Sequence, residues 1–320
     1  MADIRRHNCT YVVHTFSETD LEFYKGTMKE ITGISRAAGL EVWIDPWAVG
    51  GVFGGETYSK FVAINLDARE ISAKGESLPA ACLNHKKFRE FMFGWIDAAR
   101  ELEPDVFFWD EPHFYLYPLD EMQKDKTLWA CRCDVCRRLF KARFGYSMPV
   151  KLNDDVKLFK EDSIVDFLKT MCDYVKLQAT GYRLQAKNAV CFLPFKGPLG
   201  GIMDWSKAAR IKSLDIIGTD PYWRVGEKDV AGLVGRFSRR IAQISKRYGK
   251  EGQIWILNFR IKRGTEKDIE TAVKAAYKAG IRNIAAWSYY GTGCMSYLKS
   301  EDPKKVWDTL GKAFDFLNQL

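Results

Sequence analysis

The sequence lacks the features of a chain that enters or crosses a membrane. No stretch approaches the roughly 18 uninterrupted apolar residues that a membrane-spanning helix requires. The first residues, MADIRRHNCTYVV, contain no apolar core of a secretory signal. These absences predict a protein that is neither secreted nor membrane-bound and that lies in the cytoplasm.

The cysteine pattern of a small disulfide-bonded protein is also missing. Eight cysteines are spread over 320 residues, and three of them crowd into the single segment CRCDVC. A dense basic run is absent too, because the 49 Lys and Arg residues that outnumber the 41 Asp and Glu residues are scattered along the chain. The cysteine pattern favours metal binding in a reducing compartment. The scattered charge predicts no nucleic-acid partner.

What the chain does contain is a regular alternation of short apolar runs and longer amphipathic stretches. The runs predict strands at residues 9–14, 41–45, 61–65, 105–110, 189–194, 214–219, 254–258 and 283–288. Strands that alternate with helices pair in parallel, and these units predict a single (β/α)8, or TIM, barrel over residues 1–320. An open doubly wound sheet is the alternative, but no GxGxxG motif follows the first predicted strand.

Three predicted strands end in carboxylates that are followed by proline and aromatic residues. Because the carboxyl ends of barrel strands meet at one mouth, we expect these carboxylates to gather there and to raise one another's pKa values. We predict Glu111, after the fourth strand, as the catalytic acid, and Asp220 or Asp45, after the sixth and second strands, as its partner. Asp110 is predicted to point away from Glu111, since neighbours on a strand alternate in direction.

The same strand ends carry residues that suit a sugar, because flat rings stack on pyranose faces and polar groups bind hydroxyls. Arg260, after the seventh strand, is interpreted either as a ligand for an anionic group on the sugar or as a counter-charge to the carboxylates. The predicted substrate contacts are Trp47, Asp110, His113, Tyr222, Trp223, Asn258, Arg260, Trp287 and Tyr289.

A second chemical signal lies in an insertion, about residues 112–161, that follows the fourth predicted strand. It contains Cys131, Cys133 and Cys136, whose spacing predicts a structural zinc site that needs a fourth ligand. Cys82, just before the helix that leads into the fourth strand, is the favoured fourth ligand, and His85 competes with it.

Residues 80–150 resemble family 42 of the glycoside hydrolases, the zinc-bearing beta-galactosidases. The resemblance rests on Cys82-Leu-Asn before a helix that carries Arg89, on the acidic end of the fourth strand, and on the cysteine cluster with Phe144-Gly145 after it. It implies that Cys82, Cys131, Cys133 and Cys136 bind zinc and that Glu111 is the acid/base. Two positions differ from that family: Asp110 replaces an Asn, and the seventh strand end has no nucleophilic Glu.

These features predict a glycoside hydrolase that acts by paired carboxylates on a carbohydrate and that carries structural zinc. An isomerase or lyase that holds an anionic sugar with Arg260 and Lys262 is one alternative, and a carbohydrate-binding barrel without catalysis is another. A zinc-dependent nucleic-acid module ranks last, because a cluster of three cysteines inside an insertion is better explained as a metal site that holds a long loop in place. The sequence leaves the sugar, the anomer, the stereochemical outcome and the oligomeric state open, a homo-oligomer included.

Overall fold

A computed structural model of the chain describes residues 1–118, 121, 124–178, 186–194, 201–295 and 297–318. Its main sheet has seven strands, all parallel, whose spatial order follows their order along the chain. The strands are β1 (Tyr11–Thr15), β2 (Glu41–Asp45), β5 (Val106–Asp110), β6 (Lys187–Phe192), β7 (Ile216–Thr219), β8 (Glu251–Leu257) and β9 (Asn283–Trp287). A separate antiparallel hairpin consists of β3 (Arg69–Ile71) and β4 (Ser77–Ala81).

Helices alternate with the parallel strands along the chain. In the described residues they are α1 (Ala2–Arg6), α2 (Lys25–Ala37), α3 (Lys60–Ile64), α4 (Lys86–Arg100), α5 (Asp134–Phe144), α6 (Asp154–Gln178), α7 (Trp205–Ala209), α8 (Val230–Tyr248), α9 (Lys267–Lys278) and α10 (Pro303–Asn318). A search of the same residues finds no helix that is both long enough and apolar enough to span a bilayer.

Side chains on the strands divide between two apolar clusters. Trp43, Phe108 and Trp255 belong to a cluster made of strand residues, which fills the inside of the curled sheet. Their neighbours Val42 and Phe107 pack instead with helix residues in the larger outer cluster. This two-residue alternation with both faces buried is typical of a parallel sheet wrapped by helices. The predicted α/β barrel architecture is therefore confirmed.

The third predicted strand, residues 61–65, is wrong. This run forms α3, whose first turn is capped by the Ser59 side chain, which accepts the Val62 N–H at 3.1 Å. The buried Glu18 carboxylate accepts a second N–H of that turn, from Phe61, at 2.7 Å. A short apolar run does not distinguish a strand from one turn of helix, and these two caps favour the helix.

Without that strand, β2 pairs directly with β5, in the register Trp43 to Val106 and Ile44 to Phe107. The ends of β2 and β5 are therefore neighbours, where the sequence predicted one strand between them. At the other end of the sheet, the described parts of β1 and β9 share no backbone ladder. Side chains connect them instead, because the Tyr11 hydroxyl donates to the Asn283 amide oxygen at 2.8 Å.

The β3–β4 hairpin holds the insertion against the barrel. The Arg132 N–H donates to the Ile71 carbonyl at 2.8 Å, and the Ala73 N–H donates to the Trp129 carbonyl at 2.9 Å. Residues 119–120 and 122–123 of the insertion lie outside the described residues. Because β4 runs directly into Cys82, these bonds bring Cys82 to the cysteines of the insertion.

Candidate active site and metal centre

Four acidic side chains lie together where β2, β5 and β7 end. Asp45 is the last residue of β2, Asp110 the last of β5, Glu111 follows Asp110, and Asp220 follows β7. All four line one cavity of about 1590 Å³. We call them the mouth carboxylates. Their convergence follows from the parallel sheet, which presents the carboxyl ends of its strands on one side.

Glu111 and Asp220, on strands separated by β6, form a hydrogen-bonded carboxyl pair. Removal from water is the largest influence on both, and the nearby Asp220 charge adds to it for Glu111, so the pKa of Glu111 lies well above its ordinary range. Burial likewise raises the pKa of Asp220 to about 7, although the hydrogen bond from Glu111 opposes the rise. The pair is thus arranged to hold a proton near neutral pH, with Glu111 as the donor.

Asp110 does not point away from Glu111, as the alternation of strand residues predicted. Asp110 lies on the inner face with Phe108, and Glu111 leaves the strand with a left-handed backbone, at φ 42°, that turns its side chain toward the same cavity. Gly54 packs so closely here that a Cβ on it would lie 2.2 Å from Asp110 Oδ2. The break in alternation places both carboxyls in the mouth.

The charged neighbours that influence the mouth carboxylates are other carboxylates. Burial raises the pKa of Asp45, and the charges of Asp110 and Glu111 raise it further. Burial and Glu111 do the same for Asp110. No lysine or arginine of the described chain contributes to the shifted pKa values of these four groups. The described residues therefore compensate this cluster by protons and by hydrogen bonds to Asp220 rather than by a cation.

Four aromatic residues form a wall beside the carboxylates. Trp47 and Trp287 stack with ring centroids 6.0 Å apart, Phe259 meets Trp287 edge-on at 4.9 Å, and Tyr222 meets Phe259 edge-on at 5.3 Å. All of them line the cavity. This set, the aromatic wall, offers flat apolar faces next to hydrogen-bonding groups, which is the surface that a sugar ring requires.

Three other predicted contacts also border the cavity. His113 lies beside Glu111, with its Nδ1 donating to the Glu111 carbonyl at 2.5 Å, and burial lowers its pKa so that the ring is neutral. Tyr289 is 51% exposed at the outer edge. Arg260 is exposed at the cavity border, where its Nε donates to the Tyr297 carbonyl at 3.0 Å and its guanidinium lies over the Tyr297 ring. Arg260 is not among the groups that shift the pKa values of the mouth carboxylates.

The remaining two predicted substrate contacts, Trp223 and Asn258, do not border this cavity. Trp223 packs in the outer apolar core. Asn258 is fully buried, and its Nδ2 donates to the Ser288 carbonyl at 2.7 Å, which holds the ends of β8 and β9 together. The aromatic and amide side chains at these two positions thus support the barrel ends, and we do not retain either as a sugar contact.

Cys191 is a site residue that sequence reasoning missed, because an apolar strand context made it a core residue. It lies opposite Asp110 in the sheet, and its carbonyl accepts the Glu111 N–H at 3.0 Å. Its thiol hydrogen-bonds to Asp220 and lines the cavity. The two-residue period from Ala189 would have indicated this inward direction.

Four buried cysteines form a second site outside the barrel interior. The sulfur atoms of Cys82, Cys131, Cys133 and Cys136 all lie within 4.8 Å of one another. We call this group the cysteine centre. Four thiolates in a closed, buried set match the donor chemistry of structural zinc and can hold a metal ion. His85, the competing ligand, instead caps α4, where its Nδ1 accepts the Lys87 N–H at 3.3 Å.

Polar groups surround the cysteine centre. The Asn84 amide donates to Cys136 Sγ at 3.4 Å and to Ser163 Oγ at 3.0 Å. Lys160 is buried, has no hydrogen-bond partner among the described residues, and interacts electrostatically with Glu70, Cys131 and Cys136. Burial lowers the pKa of Lys160, and these anionic neighbours partly restore it. The chain thus supplies an ammonium group of its own beside the thiolates.

No family profile and no curated protein sequence matches this chain. Solved structures do. A beta-galactosidase from the Antarctic haloarchaeon Halorubrum lacusprofundi aligns with 99% of the chain at a TM-score of 0.71 and 12% identity. A beta-galactosidase from the psychrophilic Marinomonas ef1 aligns with 97% of it at 0.66 and 12%. Fungal beta-1,4-galactanases align with 97% of it at 0.53 and 10%, over 89% of their own chain.

At these identities the likeness shows a shared fold. The chain spans about half of the two beta-galactosidases, covering 56% of each. The TIM-barrel architecture is common to all three comparisons. What the chain does must therefore be argued from the site.

Proposed function

We propose that this protein is a glycoside hydrolase whose catalytic domain is the barrel described here. The observation that carries the proposal is the hydrogen-bonded pair of Glu111 and Asp220 in a cavity walled by aromatic rings. Paired carboxyls of which one holds a proton are what cleavage of a glycosidic bond requires. The fold shared with solved glycosidases supports the proposal by analogy.

In this mechanism Glu111 donates its proton to the glycosidic oxygen as the bond to the anomeric carbon breaks. A second carboxylate then stabilises the positive charge or attacks the anomeric carbon, and water completes the hydrolysis. We assign that second role to Asp220 and keep Asp45 as its alternative, because both are buried strand-end carboxyls with one unpaired oxygen. The two carboxyls are roughly 5–5.5 Å apart in retaining enzymes and roughly 6.5–9.5 Å apart in inverting enzymes, so their separation around a bound sugar would indicate the stereochemical outcome.

The alternatives receive less support. An isomerase or lyase for an anionic sugar needs a cation that is free to bind the anionic group, and Arg260 at the cavity border is engaged by the carbonyl and the ring of Tyr297. A purely binding barrel does not need a carboxyl pair that holds a proton. For the cysteine centre we propose structural zinc, which would staple the insertion to the hairpin through four thiolates.

The test is Glu111→Gln, assayed on aryl glycosides of many sugars. Loss of the proton donor should reduce turnover by about 10²–10⁴-fold on substrates with poor leaving groups and much less on activated ones. Glu90→Gln, on the exposed face of α4, is the matched control. Equal losses on both kinds of substrate would contradict a proton-donor role, and no turnover of any glycoside by the unaltered protein would overturn the proposed function.

A further inference from the structure

The mouth contains carboxylate oxygens that accept no hydrogen bond from the described residues. Asp45 is 3% exposed and Asp220 is 5% exposed, and Oδ1 of each has no hydrogen-bond partner among the described residues. Both residues line the cavity. A buried acceptor without a partner is unfavourable, so a ligand that brings donors to these two oxygens is favoured.

The groups around these oxygens select the charge of that ligand. No lysine or arginine of the described chain affects the shifted pKa values of the mouth carboxylates, His113 is held neutral by burial, and Arg260 at the cavity border is engaged by Tyr297. With a neutral ligand, the cluster would keep its protons as the compensation for its negative charge. A positively charged group would replace the protons that the cluster otherwise holds.

The aromatic wall points to the same charge. Ring faces of Trp and Tyr attract cations, and a cation enclosed by carboxylates and rings gains from both interactions. Trp47 and Trp287 line the same cavity as Asp45, and their rings stack on each other with centroids 6.0 Å apart. The protein as a whole has a net charge of +8, so this negative, aromatic-lined mouth is a local feature.

The geometry distinguishes an organic cation from a metal ion. Among the described residues, the acidic and thiol groups whose ligand atoms converge closely enough for a metal are those of the cysteine centre. The mouth carboxylates are more dispersed. A dispersed set of acceptors suits a ligand with several donors, such as an ammonium group with hydroxyls beside it.

We propose that the cavity takes amino sugars with a free, protonated amino group, and that Asp45 binds this ammonium. The inference rests on the proposed glycosidase function, because it names the substrate class of the same site. The ammonium would donate to the unpaired Asp45 oxygen, while the sugar ring stacks on the aromatic wall and its glycosidic oxygen faces Glu111.

The experiment compares matched aryl glycosides that differ only in one substituent: hydroxyl, free amine or N-acetyl amine, in the gluco and galacto series. We expect kcat/KM for the free amine to exceed that of the hydroxyl parent at least tenfold, and the N-acetyl compound to fall below the parent. Asp45→Asn should abolish the preference for the amine. Asp67→Asn, an exposed residue paired with Lys87, should preserve it.

A binding measurement separates this inference from the proposed function. Calorimetry with glucosamine and galactosamine, against glucose and galactose, needs no turnover, and we expect tighter binding of the amines that weakens in Asp45→Asn. Equal or faster Glu111-dependent turnover of neutral glycosides, with no binding preference for the amines, would overturn the inference and leave the hydrolase standing. Neutral-sugar binding that appears only with added Mg²⁺ or Ca²⁺ would replace the ammonium with a metal ion.

Discussion

The cysteine centre and the mouth carboxylates are both groups of four acidic side chains, but the chain treats their charge in opposite ways. Around the cysteine centre it supplies Lys160 and an N–H donor from Asn84, and the four sulfurs lie within 4.8 Å of one another. In the mouth it supplies further carboxylates, and the charge is held down by protons. Buried negative charge must be neutralised or paired.

The difference matches the role proposed for each site. A closed set of thiolates with a fixed counter-charge has no open position for a substrate, which is the arrangement of a structural metal. The mouth faces a cavity of about 1590 Å³ and keeps unpaired oxygens on Asp45 and Asp220. Its compensation can therefore change when a ligand enters, as proton transfer to a substrate requires.

The largest effect should come from opening the cysteine centre with Cys133→Ser. We expect loss of about one zinc per chain and several kcal/mol of stability, since the binding free energy of structural zinc contributes directly to folding. Metal analysis and thermal unfolding measure both, with the exposed Cys294→Ser as control. A variant that loses its metal yet unfolds at the same temperature would show that the metal in the cysteine centre does not stabilise the fold.

In the mouth, Asp220→Asn should change how stability depends on pH. Because the folded-state pKa of Asp220 is raised from 3.8 to about 7, its stabilising effect is complete below pH 3.8 and is lost as pH rises through 7. The pKa values of four neighbouring groups are raised as well, so these groups also stay uncharged up to higher pH: Glu111, Asp110, Cys191 and Tyr222. Asp220→Asn should remove on the order of 4 kcal/mol of the decline between these pH values.

Denaturant unfolding at several pH values measures that decline. The exposed Asp67→Asn should leave it unchanged. If Asp220→Asn loses stability with pH as steeply as the unaltered protein, Asp220 does not hold a proton in the folded state. The statement that protons compensate the charge of the mouth carboxylates, whereas Lys160 compensates that of the cysteine centre, would then be wrong for the mouth.

The smallest effect should come from Lys160→Met, which removes the counter-charge and keeps the four ligands. Groups that support metal ligands typically contribute about 10–100-fold to metal affinity, and we expect a loss in that range. Competition with a chelator measures it. Lys169→Met on the same helix, whose side chain is 61% exposed, is the control. Unchanged zinc affinity would mean that the thiolates need no ammonium beside them.

Much of the fold could be read from the residues themselves. The strands β1, β2, β5 and the later ones were predictable from their apolar runs, and so were the helices that alternate with them. The reason is that hydrophobic periodicity is a local property of the sequence. The prediction of a strand at residues 61–65 was wrong because the conformation of this run depends on Glu18, which is distant in sequence and caps the run as a helix. The prediction that Asp110 points away from Glu111 was wrong because the left-handed backbone of Glu111 breaks the alternation of side-chain direction along the strand.

The sequence by itself determined which chemistry is present: the thiolates at CRCDVC, the carboxylates where apolar runs stop, and the rings that follow them. Only the tertiary structure decided which groups meet. It joined Glu111 to Asp220, turned Cys191 into the cavity, moved Trp223 and Asn258 out of it, and set Lys160 beside the cysteines. The reason is physical: residue type fixes what a group can donate or accept, but burial and neighbours brought together by strand pairing fix its charge.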